Sequence, residues 1–366
     1  MLGFSQQSFD SIKEYLTLTS VSDDWVDRDV LLETLDSVSQ KFNDHYQRAY
    51  GDLKYIFSGD VDVSYQTAET VRLLKRWSES DDPVSTFAVI AAAMEHLGFT
   101  ADRDSQHILP TLMAAMLSDV PNTLDYHNNM HFRKVVLHII RMVVVHNNIW
   151  SSNQQNYLDK GRVSLLIAAA AVHDLGHKGD GNIIDRKYHM AQIERRSYGL
   201  ASPYLKAAGL SESILSDMDI MLRTTDVSPF GDPISPASQM RRAYEFHYGS
   251  DDDMAEGDDN ASLLLSDDLA VLENRAILCL MCLMLHEADI MNSAAVDYDV
   301  TCGESVSVSK ELGLRQAFPE DTLLFLEKIC SGRMLSDSAC HLGAKNLAEI
   351  LQRVMIDYKN GNKSYM

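Results

Sequence analysis

The chain has 366 residues, 45% of them hydrophobic and 23% charged, which excludes disordered, collagen-like and disulfide-scaffold proteins. Its 32 lysine and arginine residues stand against 53 aspartate and glutamate residues, so the formal net charge is −21. A surface this acidic repels nucleic-acid polymers and anionic membranes. We therefore expect neither as a partner, and an anionic substrate must be held by something locally positive.

Cysteine usage and the first residues bear on the cellular compartment. The five cysteines all follow residue 278 and lack the even, regularly spaced pattern of a disulfide framework, which is typical of a reducing compartment. Residues 1–7 contain no basic start followed by an apolar core. The longest apolar stretches, 165–172 and 276–285, are shorter than the roughly 20 residues of a membrane span. We expect a cytoplasmic protein.

The first hundred residues are patterned as helices. Apolar residues recur at helical spacing around 30–42 and 71–77, and an alanine-rich helix is predicted over 87–97. The polar, proline-containing segment 78–84 interrupts this pattern. It predicts an N-terminal helical segment of residues 1–80 and a domain of residues 81–366, with the alternative that both belong to one bundle.

From residue 108 onward the pattern is one helix after another, without a solenoid-type repeat. Residues 300–308 show an ambiguous strand-like alternation. The acidic segment 249–260 is too polar to pack and is expected to be a solvated loop. The sequence therefore predicts an all-α fold, with helices at 109–117, 135–145, 163–172, 214–222 and 271–285.

The first of three clusters of metal-ligand residues opens the helix around 135–145. His127 and His131 are four residues apart, so on a helix they would lie on one face and address one site. A pair of ordinary surface or core histidines has the same spacing. Taken alone, this cluster therefore predicts little.

The second cluster follows the apolar run 165–172. His173 and Asp174 place an imidazole beside a carboxylate, a pair that suits a divalent cation. A carboxylate at the end of such a run is costly to bury unless it is paired or metal-bound. The alternative is a simple helix end with a polar turn.

The third cluster repeats this arrangement, because the apolar helix from residue 276 ends in His286, Glu287 and Asp289. Asp289 alone could be a solvated helix end. Three apolar helices that each carry ligand-type residues at one end are harder to dismiss. Together, two nitrogens and two oxygens that suit Zn, Fe or Mn are expected to meet in one site: His131, His173, Asp174 and Asp289.

The order of these motifs is informative. Tyr-His-Asn-x-x-His at 126–131, His-Asp-x-x-His-x-Gly-x-x-Asn at 173–182 and Ala-Asp-Ile-x-Asn at 288–292 resemble the catalytic domain of the class I 3′,5′-cyclic-nucleotide phosphodiesterases, in the HD superfamily. Ile-Glu-Arg-Arg at 193–196 and Arg-Thr-Thr-Asp-Val-Ser at 223–228 resemble further motifs of that family. The resemblance implies a multi-helix HD bundle with a metal centre at the ends of three core helices.

The resemblance also implies a mechanism and its cofactors. The four residues named above match the ligands of the tighter metal site, which would hold Zn, Fe or Mn, and Asp174 matches the bridge to a second site for Mg or Mn. A hydroxide between the two divalent ions would attack phosphorus in line. His127 matches the general acid that protonates the departing 3′ oxygen.

Five further positions take roles from the resemblance alone. His177, Glu194 and Thr225 match residues that orient the metal ligands and waters, while Tyr126 and Asn292 match residues that line the substrate pocket. For each of them, an ordinary core or capping residue is the alternative, and Thr225 with the following Asp could be a helix N-cap.

Some residues depart from the family pattern. Lys178 and Ser293 stand where the family usually has proline, and 132–134 read Phe-Arg-Lys where it has Ala and an Asp before Val. None of these changes removes a ligand. The family's Gln-x-x-Phe purine clamp is missing after Asp289, since Gln316-Ala-Phe has the wrong spacing.

The sequence therefore predicts metal-dependent hydrolysis of a 3′,5′-cyclic nucleotide, cAMP or cGMP or both, to the 5′-monophosphate. One alternative is another HD-type phosphohydrolase that acts on a nucleotide or a linear phosphodiester, which the missing clamp favours. The other is a nucleotide-binding regulatory module of low activity. The purine preference, the metal identity and assembly into a homo-oligomer are left open.

Overall fold

The computed structural model describes residues 6–20, 25–58, 62–152, 154–249, 264–361 and 364–365. Within these ranges the protein is built almost wholly of α-helices, which confirms the all-α prediction. The helices are α1 (Gln6–Leu18), α2 (Arg28–Asp52), α3 (Lys54–Phe57), α4 (Val63–Ser78), α5 (Thr86–His96), α6 (Ala101–Ser118), α7 (Asn129–Ile149), α8 (Lys160–Val172), α9 (Gln192–Ala207), α10 (Glu212–Arg223), α11 (Pro236–Tyr248), α12 (Ala276–Ala294), α13 (Tyr298–Glu311), α14 (Pro319–Leu324) and α15 (Asp337–Lys359).

Three apolar helices, α7, α8 and α12, form the centre of the bundle and pack against one another. Helix α8 is buried from Val163 to Val172, because its alanine-rich sequence lets α6 and α7 approach closely on both sides. In α12, each residue from Leu278 to Ala288 is buried. Burial of these faces is the main favourable term for the fold, at about 25 cal/mol per Å² of apolar surface.

Helix α12 is also long and apolar enough, by length and composition, to cross a membrane. In the structure, 83% of its apolar window is buried inside the protein. Its neighbours α7, α11 and α13 cover the surface that lipid would otherwise cover. The apolar sequence of α12 is therefore accounted for by its position in the core.

The N-terminal helices share the core of the rest of the chain. The ring of Phe9 on α1 stacks on that of Phe87 on α5 with centroids 5.4 Å apart. Phe42 on α2 meets Phe87 edge-on at 5.7 Å. The predicted boundary near residue 80 falls in the short connection between α4 and α5, and buried residues are continuous across it.

The structure differs from the sequence prediction in two elements, and a third prediction lies outside the described residues. Residues 300–308 are not a strand but part of α13, whose start is capped by the Asp297 side chain accepting from the Asp299 backbone N–H at 2.8 Å. The helix predicted over 271–285 begins at Ala276, after a separate 3₁₀ turn at Ala270–Glu273. Residues 250–260 of the acidic segment lie outside the described residues.

One hairpin was not predicted. Strands β1 (Ile183–Ile184) and β2 (Lys187–Tyr188) pair antiparallel across a two-residue turn. Asp185 and Arg186 both have positive φ, at 51° and 64°, as a type I′ hairpin turn requires. Strands of two residues are too short to give a readable alternation.

The packing of α15 on the end of α12 makes a prediction about stability. A Cβ on Gly343 of α15 would lie 2.7 Å from the Cβ of Ala295, so Gly343→Ala is expected to lower the free energy of unfolding by about 1–3 kcal/mol. The matched control is Gly199→Ala in α9, where nothing lies within 4 Å and a gain of about 0.5–1 kcal/mol is expected. Denaturant unfolding measures both, and equal changes would contradict this packing.

Candidate metal centre

The first candidate ligand is positioned by a helix cap. Asn128 is the N-cap of α7, and its Oδ1 accepts hydrogen bonds from the backbone N–H groups of Met130 at 2.9 Å and His131 at 3.2 Å. His131 therefore lies in the first turn of α7, while His127 lies before the helix begins. The two imidazoles approach each other, with ring centroids 5.5 Å apart. The reason is the capped turn and not the helical periodicity that the sequence suggested.

The second and third candidate ligands follow the C-terminal end of α8. His173 is the C-cap residue of this helix, and its Nδ1 lies 3.0 Å from the carbonyl oxygen of Ala170. The carbonyl can only accept, so Nδ1 carries the proton and Nε2 offers a lone pair. Asp174 follows directly and is 8% exposed. This tautomer is the one that a metal-ligating histidine needs.

The fourth candidate ligand comes from α12, one of the three central helices. Asp289 lies inside α12, which continues to Ala294, and not at the helix end as the sequence suggested. Its Oδ1 is 3.2 Å from His131 Nε2 and 3.4 Å from His173 Nε2. The Oδ2 atom of Asp174 completes the group at 3.3 Å and 3.1 Å from the same two nitrogens.

These four residues form the group that we call the HHDD cluster: His131, His173, Asp174 and Asp289. One donor atom from each lies within 4.8 Å of all the others. Donors bound at about 2.0–2.2 Å to one cation lie roughly 3 Å apart. The spacing of the cluster therefore fits a single first-row divalent ion. Sequence reasoning named the same four residues.

The electrostatics of the HHDD cluster favour a bound cation. The Nε2 atoms of His131 and His173 lie 3.1 Å apart, so their lone pairs repel unless a proton or a metal lies between them. Burial lowers the pKa of His173, but the carboxylates of Asp174 and Asp289 outweigh it and raise the pKa well above its usual value. The site thus attracts positive charge into the interior of the protein.

His127 stands beside the cluster and is held by a residue that sequence reasoning missed. Its Nδ1 is hydrogen-bonded to Oε1 of Glu311, the last residue of α13. Oε2 of the same carboxylate accepts the backbone N–H groups of Tyr126 at 2.8 Å and His127 at 2.9 Å. Burial raises the pKa of Glu311, but the hydrogen bonds from His127 outweigh it and lower the pKa to about 2. An ionised Glu311 therefore fixes both the ring and the backbone of His127.

The other ring nitrogen of His127 faces the cluster. Its Nε2 lies 3.8 Å from Oδ2 of Asp174. Because Nδ1 donates its proton in a hydrogen bond to Glu311, a proton on Nε2 is the one that points toward a bound molecule. This geometry suits proton donation to a leaving group.

His177 packs against His127 and does not reach the cluster itself. The two rings stack with centroids 3.8 Å apart, and His177 Nδ1 accepts the backbone N–H of Gly179 at 2.9 Å. Burial and the neighbouring His127 lower the pKa of His177 to about 4. His177 is therefore neutral and limits the positions open to the His127 ring.

The loop that carries Asp174 turns tightly at Gly176. This glycine has φ +73°, and a Cβ there would meet the side chains of Leu200 and Arg196, with Trp25 Cδ1 at 3.3 Å. The guanidinium of Arg196 donates to the Gly176 carbonyl. Helix α9 and the segment before α2 thus close over the back of the loop.

Glu194 and Thr225 lie further from the cluster. Glu194 is 7% exposed, and its Oε2 accepts from Asn182 Nδ2 at 2.9 Å. Burial and the charge of Asp226 raise the pKa of Glu194 well above its usual value. The hydroxyl of Thr225 donates to the carbonyl of Leu222 at 2.8 Å, at the end of α10, so this residue does not cap a helix start.

Tyr126 separates the cluster from a cavity of ≈ 260 Å³, which we call the apolar cavity. The Tyr126 ring lies 4.8 Å from the ring of His131, and its hydroxyl bonds Ser293 Oγ at 3.1 Å. The cavity is bounded by α13, α14 and the loop before α11. Residues that line it include Phe230, Glu304, Val308, Leu312, Thr322 and Phe325.

Asn292 takes a different position from Tyr126. It is 3% exposed, and its Oδ1 lies 3.5 Å from Nε2 of His138. Among the described residues that line the apolar cavity, its neighbour Ser293 is present and Asn292 is not. This amide therefore contacts the core of α7 in the structure as it stands.

Comparison with solved structures identifies the architecture around this site. The chain is similar to LmjPDEB1 in complex with IBMX, with a TM-score of 0.53 and 14% identity over 85% of this chain and 98% of that chain. The fold is that of a class I phosphodiesterase catalytic domain. The phosphodiesterase domain of the RhoPDE fusion protein from the choanoflagellate Salpingoeca rosetta also matches, with a TM-score of 0.49 and 15% identity over 83% and 95%. No protein-family model and no curated protein sequence matches the chain.

Two departures from the phosphodiesterase sequence pattern have a physical explanation. Ser293, in place of proline, supplies the hydroxyl that bonds Tyr126. Lys134 forms a half-buried ion pair with Glu304, with Nζ 2.6 Å from Oε1, and so ties α7 to α13 beside the apolar cavity. Both residues adjust the phosphodiesterase fold around its pocket and leave the HHDD cluster intact.

Metal content tests the cluster directly. Asp174→Ala is expected to lower bound metal by more than about tenfold at fixed metal concentration, because even residues outside the ligand set change metal affinity about 10- to 100-fold. Elemental analysis of the purified, folded protein gives the ratio of metal to chain. The matched control is Asp36→Ala, which removes one exposed carboxylate near Lys13. Unchanged metal in Asp174→Ala would exclude this cluster as the site.

Proposed function

We propose that this protein hydrolyses a 3′,5′-cyclic nucleotide, cAMP or cGMP or both, to the 5′-monophosphate. The observation that carries the proposal is the HHDD cluster, within 4.8 Å, beside a histidine whose second nitrogen is held by Glu311. The phosphodiesterase fold supports a hydrolase of this kind. The nucleotide itself is inferred from the sequence motifs.

A divalent ion in the cluster would lower the pKa of a bound water and neutralise charge on the phosphate oxygens. We propose two such ions: the cluster would hold Zn, Fe or Mn, and Asp174 would also help to hold Mg or Mn in a second site. The protein's own part is to hold the ligands rigidly. His173 does this through Ala170, and His131 through the cap at Asn128.

His127 would supply the proton that the leaving 3′ oxygen needs. Its Nε2 points toward the cluster, 3.8 Å from Asp174, and Glu311 stabilises the protonated ring through Nδ1. As the proton passes to the alkoxide, the ring becomes neutral while Glu311 keeps the Nδ1 proton in place. The stacked, neutral His177 holds the ring plane during this step.

The apolar cavity is where the nucleoside part would lie. It adjoins the cluster through Tyr126, and its volume of ≈ 260 Å³ is below the roughly 300–1,000 Å³ of drug-sized sites. Such a volume suits one base better than the two bases of a cyclic dinucleotide. Glu304 lines this cavity, and its Oε2 has no hydrogen-bond partner among the described residues.

A second candidate follows from the missing Gln-x-x-Phe clamp. In the described chain, the residues nearest to that pattern do not form a buried clamp. Phe318, which follows Gln316 by two residues, is exposed, and Gln352 lies on the exposed face of α15. A phosphohydrolase of the same fold that acts on a linear phosphodiester would need the cluster and His127 but no purine clamp.

A substrate panel separates these functions. Purified protein loaded with Mn or Zn is expected to convert cAMP or cGMP to the 5′-monophosphate, with slower turnover of a cyclic dinucleotide, because the apolar cavity holds a single base. Product chromatography identifies which P–O bond breaks. Hydrolysis of linear diesters alone would favour the second candidate, and tight binding of cAMP without turnover would favour a regulatory module.

The acid role of His127 predicts a dependence on the leaving group. His127→Ala is expected to slow cyclic-nucleotide hydrolysis by about 10²- to 10⁴-fold. Bis(p-nitrophenyl) phosphate should be slowed far less, because its leaving group needs no proton. His341→Ala, on the exposed face of α15, is the control. Equal slowing of both substrates by His127→Ala would remove the acid role and leave the metal sites in place.

A further inference from the structure

A second cavity, of ≈ 260 Å³, lies between one face of α11 and the turn after the π-helical segment Phe325–Ile329. Its residues on α11 are spaced three and four apart, which places them on one helix face. We call it the arginine cavity. The residues that matter for its chemistry are Ser238, Arg241, Arg242, Glu245, Ser331 and Arg333.

The charge of this cavity is opposite to that of the whole protein. Three guanidinium groups line it, against the single carboxylate of Glu245, which pairs with Arg333. Lys328 adds a further positive charge nearby, since its Cδ lies 3.0 Å from the position of a Cβ on Gly231, which also lines the cavity. In a chain with a formal charge of −21, such a concentration of positive charge attracts an anion.

Two of the arginines are fixed by the backbone, which orients their donors in advance. Arg242 donates from Nη1 to the carbonyl of Pro233 at 2.9 Å and from Nη2 to that of Leu264 at 3.2 Å. Arg241 donates from Nη2 to the carbonyls of Cys330 at 3.1 Å and Arg333 at 3.0 Å. A guanidinium carries five N–H donors, so each retains donors for a ligand.

Arg241 supplies the most direct sign of a missing partner. Arg241 is only 7% exposed. Its Nη1 is buried and has no hydrogen-bond partner in the described part of the chain. The buried carboxylate of Glu287, whose raised pKa the Arg241 charge opposes, is already bonded to the Leu335 and Ser336 backbone. A buried guanidinium nitrogen without an acceptor is costly.

We propose that the arginine cavity binds a phosphate group, either as inorganic phosphate or as the terminal phosphate of a small phosphomonoester. Guanidinium groups match the geometry of phosphate oxygens and form charge-assisted hydrogen bonds with them. Ser238 and Ser331 add hydroxyl groups at the wall. This site is separate from the HHDD cluster and shares no residue with it.

The arginine cavity and the apolar cavity are lined by neighbouring residues of the same two segments. Gly231 lines the first and its neighbour Phe230 lines the second. Phe325 and Ile329 line the apolar cavity from the same turn that leads to Arg333. Phosphate bound by the arginines therefore restrains both segments that bound the apolar cavity, and is expected to alter ligand affinity there.

The test is isothermal titration of the full-length protein with inorganic phosphate and, separately, with AMP. Because phosphate also binds metal centres, each titration is repeated in the Asp174→Ala background, where binding to the arginine cavity is expected to persist. Arg242→Ala and Arg333→Ala should each weaken this binding by at least about tenfold, the effect of losing a charge-assisted hydrogen bond. Arg333 is exposed, so Arg333→Ala is expected to leave the fold intact, whereas Arg242→Ala also removes two contacts to backbone carbonyls.

Arg72→Ala, which removes an exposed arginine paired with Glu69, is the control for net charge and should bind phosphate as the unaltered protein does. Tighter binding of AMP than of phosphate would identify a phosphomonoester as the ligand, and the reverse would identify free phosphate; both support the site. The proposal is overturned if Asp174→Ala abolishes all phosphate binding, or if the arginine variants bind like Arg72→Ala. Neither result depends on the hydrolytic activity.

Discussion

Two imidazole nitrogens and two carboxylate oxygens held about 3 Å apart inside the protein are stable only around a positive charge. In the HHDD cluster these donor atoms stay close together because the helices that carry them are packed tightly against one another. Helices α7, α8 and α12 are buried along most of their length, and closely packed interiors resist rearrangement. The apolar core therefore keeps the donor atoms close enough for a cation to bind without a large rearrangement.

The residues around the cluster extend this rigidity outward. Glu311 fixes His127 by its ring and by its backbone, and Asn182 fixes Glu194. The Glu311 contact joins segments 184 residues apart, so the site depends on the packing of distant helices and not on one loop. The surface is acidic overall, and the few places that attract anions do so through positive charges gathered locally.

The sequence predicted which four residues would lie together, but it predicted their setting less well. His131, His173 and Asp174 stand at the ends of apolar runs, and this pattern is visible without a structure. Glu311 was missed because its contact with His127 spans 184 residues and because α13 has no clear helical periodicity. The Lys134–Glu304 pair, 170 residues apart, was missed for the same reason. Local spacing also gave the wrong cause for the approach of His127 to His131, since an N-cap turn and not a continuous helix brings them together.

The contact of Trp25 with Gly176 bears on how the protein can be divided. Trp25 precedes α2 in the chain, yet it packs against Gly176, which lies two residues after Asp174 in the same loop. A truncated chain that starts near residue 80 would uncover this loop and would also expose the phenyl ring of Phe87. Division of the protein at that boundary would therefore remove residues that pack behind the cation site. It would also lower the solubility of the fragment.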